Sequence, residues 1–225
     1  LTRLILPLAL ALTVRLVATM LTPTPKDIAT ALRDWVPAKK LIFDPASDVR
    51  GRPWSYGIRG AMVHHWAGSG DGGQEWMAAR GEAYPYCNNT VRRDGRVIVL
   101  SLLSAWHSGQ GGPWNRAGVP KDAAHLMVWG LEMEGPMPGT QYGVDDMTEQ
   151  QWRNTARVLC AIREAAGKEA FPNFQRVVRH GDWTDGTNGV SETPLPTIGR
   201  KNDVWADTKF IRRLAKDRWE QKNSR

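Results

Sequence analysis

The chain has 225 residues, 41% of them hydrophobic, and thirty Lys and Arg against twenty-three Asp and Glu give a formal charge of +7. That is enough chain for one well-buried domain of ordinary soluble composition, and the positive balance favours an anionic partner: nucleic acid, acidic lipid or an anionic wall polymer. Cys87 and Cys160 lie far apart without CxxC spacing, which excludes a disulfide framework and a zinc–thiolate motif.

Residues 1–25 read as an apolar segment followed by a Pro-rich hinge, and residues 26–225 as the functional domain. Leu4 to Val14 is an eleven-residue apolar run behind Arg3, the length of a signal-peptide core and too short to span a bilayer. Arg15 interrupts it and no Ala-x-Ala site follows, so an export signal, an amphipathic helix and a start-site artefact with Met20 as the true start all remain open. Stable membrane insertion is not expected.

Ile28, Leu32 and Trp35 stand at helical spacing and predict a helix over 26–35, ended by Pro37. Residues 44–60, rich in Pro, Gly, Ser and Asp, read as loop leading into a strand from Ala61 to Trp66. Gly68 to Gly73 reads as a flexible turn and Gln74 to Ala83 as a helix; the Gly-rich turn lacks the ending of a P-loop and the spacing of a dinucleotide fingerprint.

Asp94-Gly95 between two β-rich arms, Thr90 to Leu100, predicts a tight hairpin with both turn residues at positive φ. His125 to Glu134 reads as another strand and Arg176 to His180 as a short last one. Thr148 and Gln151 form a capping box opening a helix to about Ala166, with Trp152, Ala156, Leu159 and Ile162 on one face. A final helix from about Asp207 to Gln221 buries Phe210, Leu214 and Trp219 and carries Arg212, Arg213, Lys216, Arg218 and Lys222, most simply a solvated face. Strands interleaved with helices, plus a hairpin, imply a single α/β domain with a central mixed sheet flanked by helices.

Two apolar runs each deliver a histidine: Ala61-Met-Val-His64-His65-Trp66 and Val177-Val-Arg-His180. His64 and His65 point to opposite faces of a strand, so one of them is a ligand at most. Taken singly, His64 and His180 read as packed or capping residues and Asp203 as a helix cap. Taken together, two neutral imidazoles and a carboxylate leave zinc an open fourth position, the arrangement of a catalytic site.

Val-His64-His-Trp-Ala, the Arg93-Asp94-Gly95 hairpin, Trp106-His107-Ser-Gly, Gly130-Leu-Glu132-Met-Glu134-Gly, His180 and Lys201-Asn-Asp203 follow one another in a particular order. That ordered set resembles the zinc-dependent N-acetylmuramoyl-L-alanine amidases of the amidase-2 type, a family that includes phage endolysins and the peptidoglycan recognition proteins. The resemblance covers roughly residues 55–215 and looks most like the amidase domain of endolysins from phages of actinobacteria.

The resemblance implies a peptidoglycan hydrolase that cleaves between N-acetylmuramic acid and L-alanine by zinc-activated water. It implies His64, His180 and Asp203 as Zn2+ ligands, Glu132 and Lys201 as catalytic residues, and His107 beside the substrate. Glu134, on the same strand face, is the rival of Glu132. Tyr86, Trp66 and Trp183 are expected to bind substrate.

Two departures stand out. Many members have a tyrosine seven residues before the turn aspartate, where this chain has Cys87, with Tyr86 one position early. The stretch between His180 and Asp203 is also longer than in the family, which leaves Asp182 and Asp185 as rival ligands.

The partner so implied is bacterial peptidoglycan, with no nucleic acid and a monomeric chain. The location is the host cytoplasm until lysis if the chain is phage-encoded, or outside the cell if residues 1–19 are a signal. A wall-remodelling amidase and a non-catalytic peptidoglycan-binding module are the alternatives.

Overall fold

The computed structural model describes residues 22–66, 85–109, 111, 113–135, 147–185 and 208–224. Helix α1 (Pro25–Trp35) opens on a capping box in which Thr24 and Asp27 satisfy each other's amides, with Pro25 in the first turn. It ends at Val36, the residue that Pro37 bars from helical geometry. Then come β1 (Leu41–Phe43), β2 (Gly60–Trp66), β3 (Asn89–Val91), β4 (Val97–Val99), the one-turn helix α2 (Ala124–Met127) and β5 (Val128–Glu134). The chain continues through α3 (Glu149–Ala166), β6 (Val177–Arg179), the short α4 (His180–Asp185) and α5 (Thr208–Asn223).

The six strands form one mixed sheet in the order β1-β4-β3-β5-β2-β6. Only β3 and β4 are antiparallel; the other neighbours run parallel, and β5 and β2 each lie between two parallel neighbours. Parallel centre strands need both faces covered. One face, carrying Ala61, Val63, Val91, Val97, Val99, Trp129, Leu131, Met133 and Val177, packs under α1, α3 and α5. The opposite face carries two smaller clusters, one around Met62, Trp114, Val128, Val178 and Trp183 and the other around Trp66, Cys87, Ile98 and Leu100.

Along β2, Met62 belongs to the first of these clusters and Trp66 to the second. His64 lies between them on the same face, so the site-bearing row is a polar gap between two apolar plugs.

Helix α3 is fixed to the hairpin by polar side chains as well as by packing. Thr148 Oγ1 donates to the Arg93 carbonyl at 2.6 Å, Gln151 Nε2 to that of Glu134 at 2.8 Å, and Asn154 Nδ2 to that of Gly95 at 2.6 Å. The capping box expected at Thr148 and Gln151 is present in both directions. At the far side of the domain Trp35 of α1 stacks on Trp219 of α5, centroids 5.6 Å apart and planes 8° from parallel. Trp35 Nε1 and Lys222 Nζ both donate to Glu164 of α3, at 2.7 and 3.2 Å.

Several local expectations are corrected. The hairpin turn has positive φ at Gly95 alone, +82°, because the loop spans Arg92 to Arg96 and the Asp94 carboxylate accepts from the Arg96 amide at 2.8 Å. The strand expected from His125 begins only at Val128, since Ala124 to Met127 close a helical turn first. His180 is the first residue of α4 rather than the end of β6. The last helix fully buries Ile211 and Ala215, while Phe210, Leu214 and Trp219 are only partly covered. The apolar segment before residue 22 and the helix expected over 74–83 lie outside the described residues. No helix among the described residues is long and apolar enough to cross a membrane.

Candidate active site

Strand register brings the polar residues into one line across the sheet. His64 of β2 pairs with Glu132 of β5, Glu132 with Thr90 of β3, and Thr90 with Ile98 of β4. On the other side Val63 pairs with Arg179, which sets His180, the next residue, beside His64. Neighbouring strands stand about 4.8 Å apart, so one row of side chains runs continuously across the sheet face.

His64 and His180 are 3% and 2% exposed, and their rings meet edge to face with centroids 4.7 Å apart. His180 Nε2 lies 2.9 Å from the Ser108 carbonyl oxygen. A carbonyl oxygen only accepts, so that nitrogen carries the proton and Nδ1 of His180 holds the lone pair.

A third histidine joins them. His107 Nδ1 lies 3.2 Å from His64 Nε2, and His107 Nε2 lies 2.7 Å from the Val128 carbonyl oxygen. Burial holds the His107 imidazole well below its usual range, with repulsion from His64 adding to the effect and the bond to Val128 opposing it. His107 is 6% exposed.

The two acidic residues of β5 have different surroundings. Glu134 Oε2 accepts from Arg92 Nε at 2.9 Å and from the Arg93 amide at 2.8 Å, and both partners of this ion pair are buried. Glu134 is therefore committed to structure. Glu132 sits in register between Thr90 and His64, and its charge is one reason, after burial, that the Cys87 thiol is pushed well above the ordinary range.

Asp182, one of the rival ligands, is fully buried and accepts from Arg179 Nε at 2.7 Å and from the Arg179 amide at 3.3 Å. This bridge holds the bend from β6 into α4. The Asp185 side chain, Lys201 and Asp203 lie outside the described residues.

The residues expected to line a substrate groove are placed less uniformly. Trp183 is fully buried among Met62, Trp114 and Val178, and Trp66 is 8% exposed beside Cys87, Ile98 and Leu100. Both serve as packing in this structure, because large apolar rings are needed to plug the face on either side of the histidines. Tyr86 packs half-buried on the second plug. Trp106, which motif reading passed over as a contact residue, is 47% exposed and tilts onto His125 at 4.4 Å. Its signal in the sequence was the position immediately before His107.

Two buried imidazoles, each with its second nitrogen tied to a protein acceptor, suit a zinc ion, which takes neutral histidine nitrogen oriented in this manner. Among the described residues no group of three His, Cys, Asp or Glu stands close enough to hold a metal. A zinc ion held by this pair would take any third protein ligand from outside the described residues.

Residues 53–201 match the Amidase_2 family, described as N-acetylmuramoyl-L-alanine amidase. Among solved structures the selenomethionine derivative of AmpD is similar, with a TM-score of 0.55 at 16% identity over 78% of this chain and 94% of that one. The Staphylococcus aureus hydrolase AmiA, in complex with its ligand, gives a TM-score of 0.52 at 14% identity over 88% of this chain and 92% of that one. At such identities the likeness speaks for the fold. No curated protein sequence matches the chain.

Proposed function

The chain belongs to the N-acetylmuramoyl-L-alanine amidase family, and from that premise we propose that it is a zinc-dependent peptidoglycan amidase releasing the L-alanine stem peptide from N-acetylmuramic acid. The observation that carries the reading is the row His180, His64, Glu132: two imidazoles with a carboxylate beside them on one sheet face. His64 and His180 would hold the metal through Nδ1, with Asp203 as the third ligand.

Zinc held there would supply Lewis acidity, lowering the pKa of water and polarising the scissile carbonyl. Glu132 takes the proton of the attacking water on its carboxylate and returns it to the leaving amine, a role worth roughly 10²–10⁴ in rate. Lys201 stabilises the charge that develops on the carbonyl oxygen, a contribution on the order of 2.7–4 kcal/mol. Glu134 is withheld from this chemistry by Arg92. Trp106 offers an indole face for stacking against the polymer. Peptidoglycan is the partner proposed, in keeping with the +7 charge and an anionic wall. Use by a phage to open the host wall rests on the resemblance of the motifs.

The test is zinc content together with release of new N-terminal L-alanine from purified actinobacterial peptidoglycan, for the wild type and for Asp203→Ala. About one zinc per chain and amine release in the wild type, both lost in the variant, are expected. A wild type that binds peptidoglycan without zinc or amine release would instead be a binding module.

A further inference from the structure

His107 is too buried to serve a polymer and too specifically held to be filler. Its ring lies flat on β5 at Gly130: a Cβ added there would overlap ring atoms Cγ and Cδ2 and stand 2.8 Å from His107 Cβ. Only glycine leaves that space. Asn88 secures the seat, its Oδ1 accepting from the Gly130 amide at 2.8 Å while its backbone N–H donates to the Gly130 carbonyl at 2.8 Å.

The seat fixes the direction of every proton in the chain of bonds. The Val128 carbonyl can only accept, so His107 Nε2 donates to it at 2.7 Å. A neutral imidazole then has its lone pair at Nδ1, and the 3.2 Å contact requires His64 Nε2 to donate. His64 is thereby left with its lone pair at Nδ1. The next residue does the same for the other histidine, since the Ser108 carbonyl accepts from His180 Nε2 at 2.9 Å.

We infer that His107-Ser108 is a two-residue clamp that sets the tautomer of both metal-binding imidazoles, with His107 a positioning residue for His64 and Gly130 the seat that admits it. This deepens the zinc-amidase reading and rests on it for the identity of the ligand. It gives His107 a role other than the expected contact with substrate.

The experiment compares the wild type with His107→Phe, which keeps a ring without nitrogen, and His107→Asn, whose amide oxygen can accept in place of Nδ1. Long-range 15N–1H spectra of the zinc-free protein at mildly alkaline pH report the tautomers, and chelator competition gives zinc affinity. The wild type is expected to show protonated Nε2 on both His64 and His180. In His107→Phe the His64 signals move to a mixture of tautomers, His180 stays as it was, and zinc binding weakens roughly 10–100-fold. His107→Asn recovers most of both.

A His64 protonated at Nδ1 in the wild type overturns the clamp, as does His107→Phe with unchanged zinc affinity and weakened muropeptide binding. If His107→Phe does not fold, the wild-type spectrum and His107→Asn still decide. A wild type that shows the stated tautomers but takes up no zinc keeps the hydrogen-bonded pair and removes the amidase reading instead.

Discussion

Arg92 and Glu134 form an ion pair, Nε to Oε2 2.9 Å, in which each side chain is only 6% exposed. It stands on the same sheet face as Glu132 and commits one of these two neighbouring carboxylates to structure. Removing one partner of a buried pair strands the other charge, at a cost of about 3–5 kcal/mol. Glu134→Ala should lower the unfolding free energy by that amount in urea titrations. Replacing both residues by apolar ones, Arg92→Met with Glu134→Leu, should restore much of it.

Glu132→Gln is expected to behave in the opposite way. Amine release from peptidoglycan should fall on the order of 10²–10⁴-fold, while the urea midpoint and zinc content stay near the wild-type values. Equal loss of stability and activity in this variant would make Glu132 another structural acid.

Gly95 takes φ of +82°, and a Cβ there would stand 2.9 Å from Gln150 Cβ and 3.0 Å from Asn154 Nδ2. Gly95→Ala should therefore cost about 1–3 kcal/mol in chemical unfolding. The loss is expected to be smaller when Asn154 is also shortened to Ala, since one of the crowding atoms is then gone.

Cys160 donates its thiol hydrogen to the Ala215 carbonyl at 3.3 Å, and burial pushes its pKa up to about 12 from an ordinary 9.0. The folded thiol keeps its proton where the unfolded one loses it, so its stabilising effect is full below about pH 9 and is lost as pH rises toward 12. The slope from one such group approaches about 1.4 kcal/mol per pH unit. Denaturant melts between these limits should show a shallower alkaline loss for Cys160→Ala than for the wild type.

Long periodic segments were legible in the sequence because their pattern is local. Helices α1 and α3 follow from apolar spacing, and α3 also from the capping pair Thr148 and Gln151, which the structure shows; the Thr24–Asp27 box of α1 was not read from the sequence. Strand β1 was missed because Leu41 to Phe43 is too short to show any period. The start of β5 was misjudged for a related reason, since Leu126 and Met127 fit a buried strand and a helical turn equally well. At the end of β6 the deciding interaction is Asp182 capping the Arg179 amide, a contact with no hydrophobic signature.

The candidate site was legible as a set of residue types and much less so as a geometry. His64 could be placed on one face by alternation alone. That Glu134 is taken by Arg92, or that His107 needs a glycine beneath it, depends on contacts between strands and loops distant in the sequence. Tryptophan was the least informative residue: Trp66 and Trp183, expected to bind substrate, are buried in the two plugs, and among the described tryptophans Trp106 is the exposed one.

The parallel indoles of Trp35 and Trp219 join the first described helix to the last. Rings this close couple their intense far-ultraviolet indole transitions, which contributes a paired circular dichroism signal of opposite sign where the two transition moments are skewed. Lys222 lies 4.2 Å over Trp35 and Arg163 4.1 Å over Trp219, so the couplet belongs to one docked arrangement of α5 on α1 and α3. The molecule thus contains its own optical reporter of the terminal helix, which can be followed without label, metal or substrate.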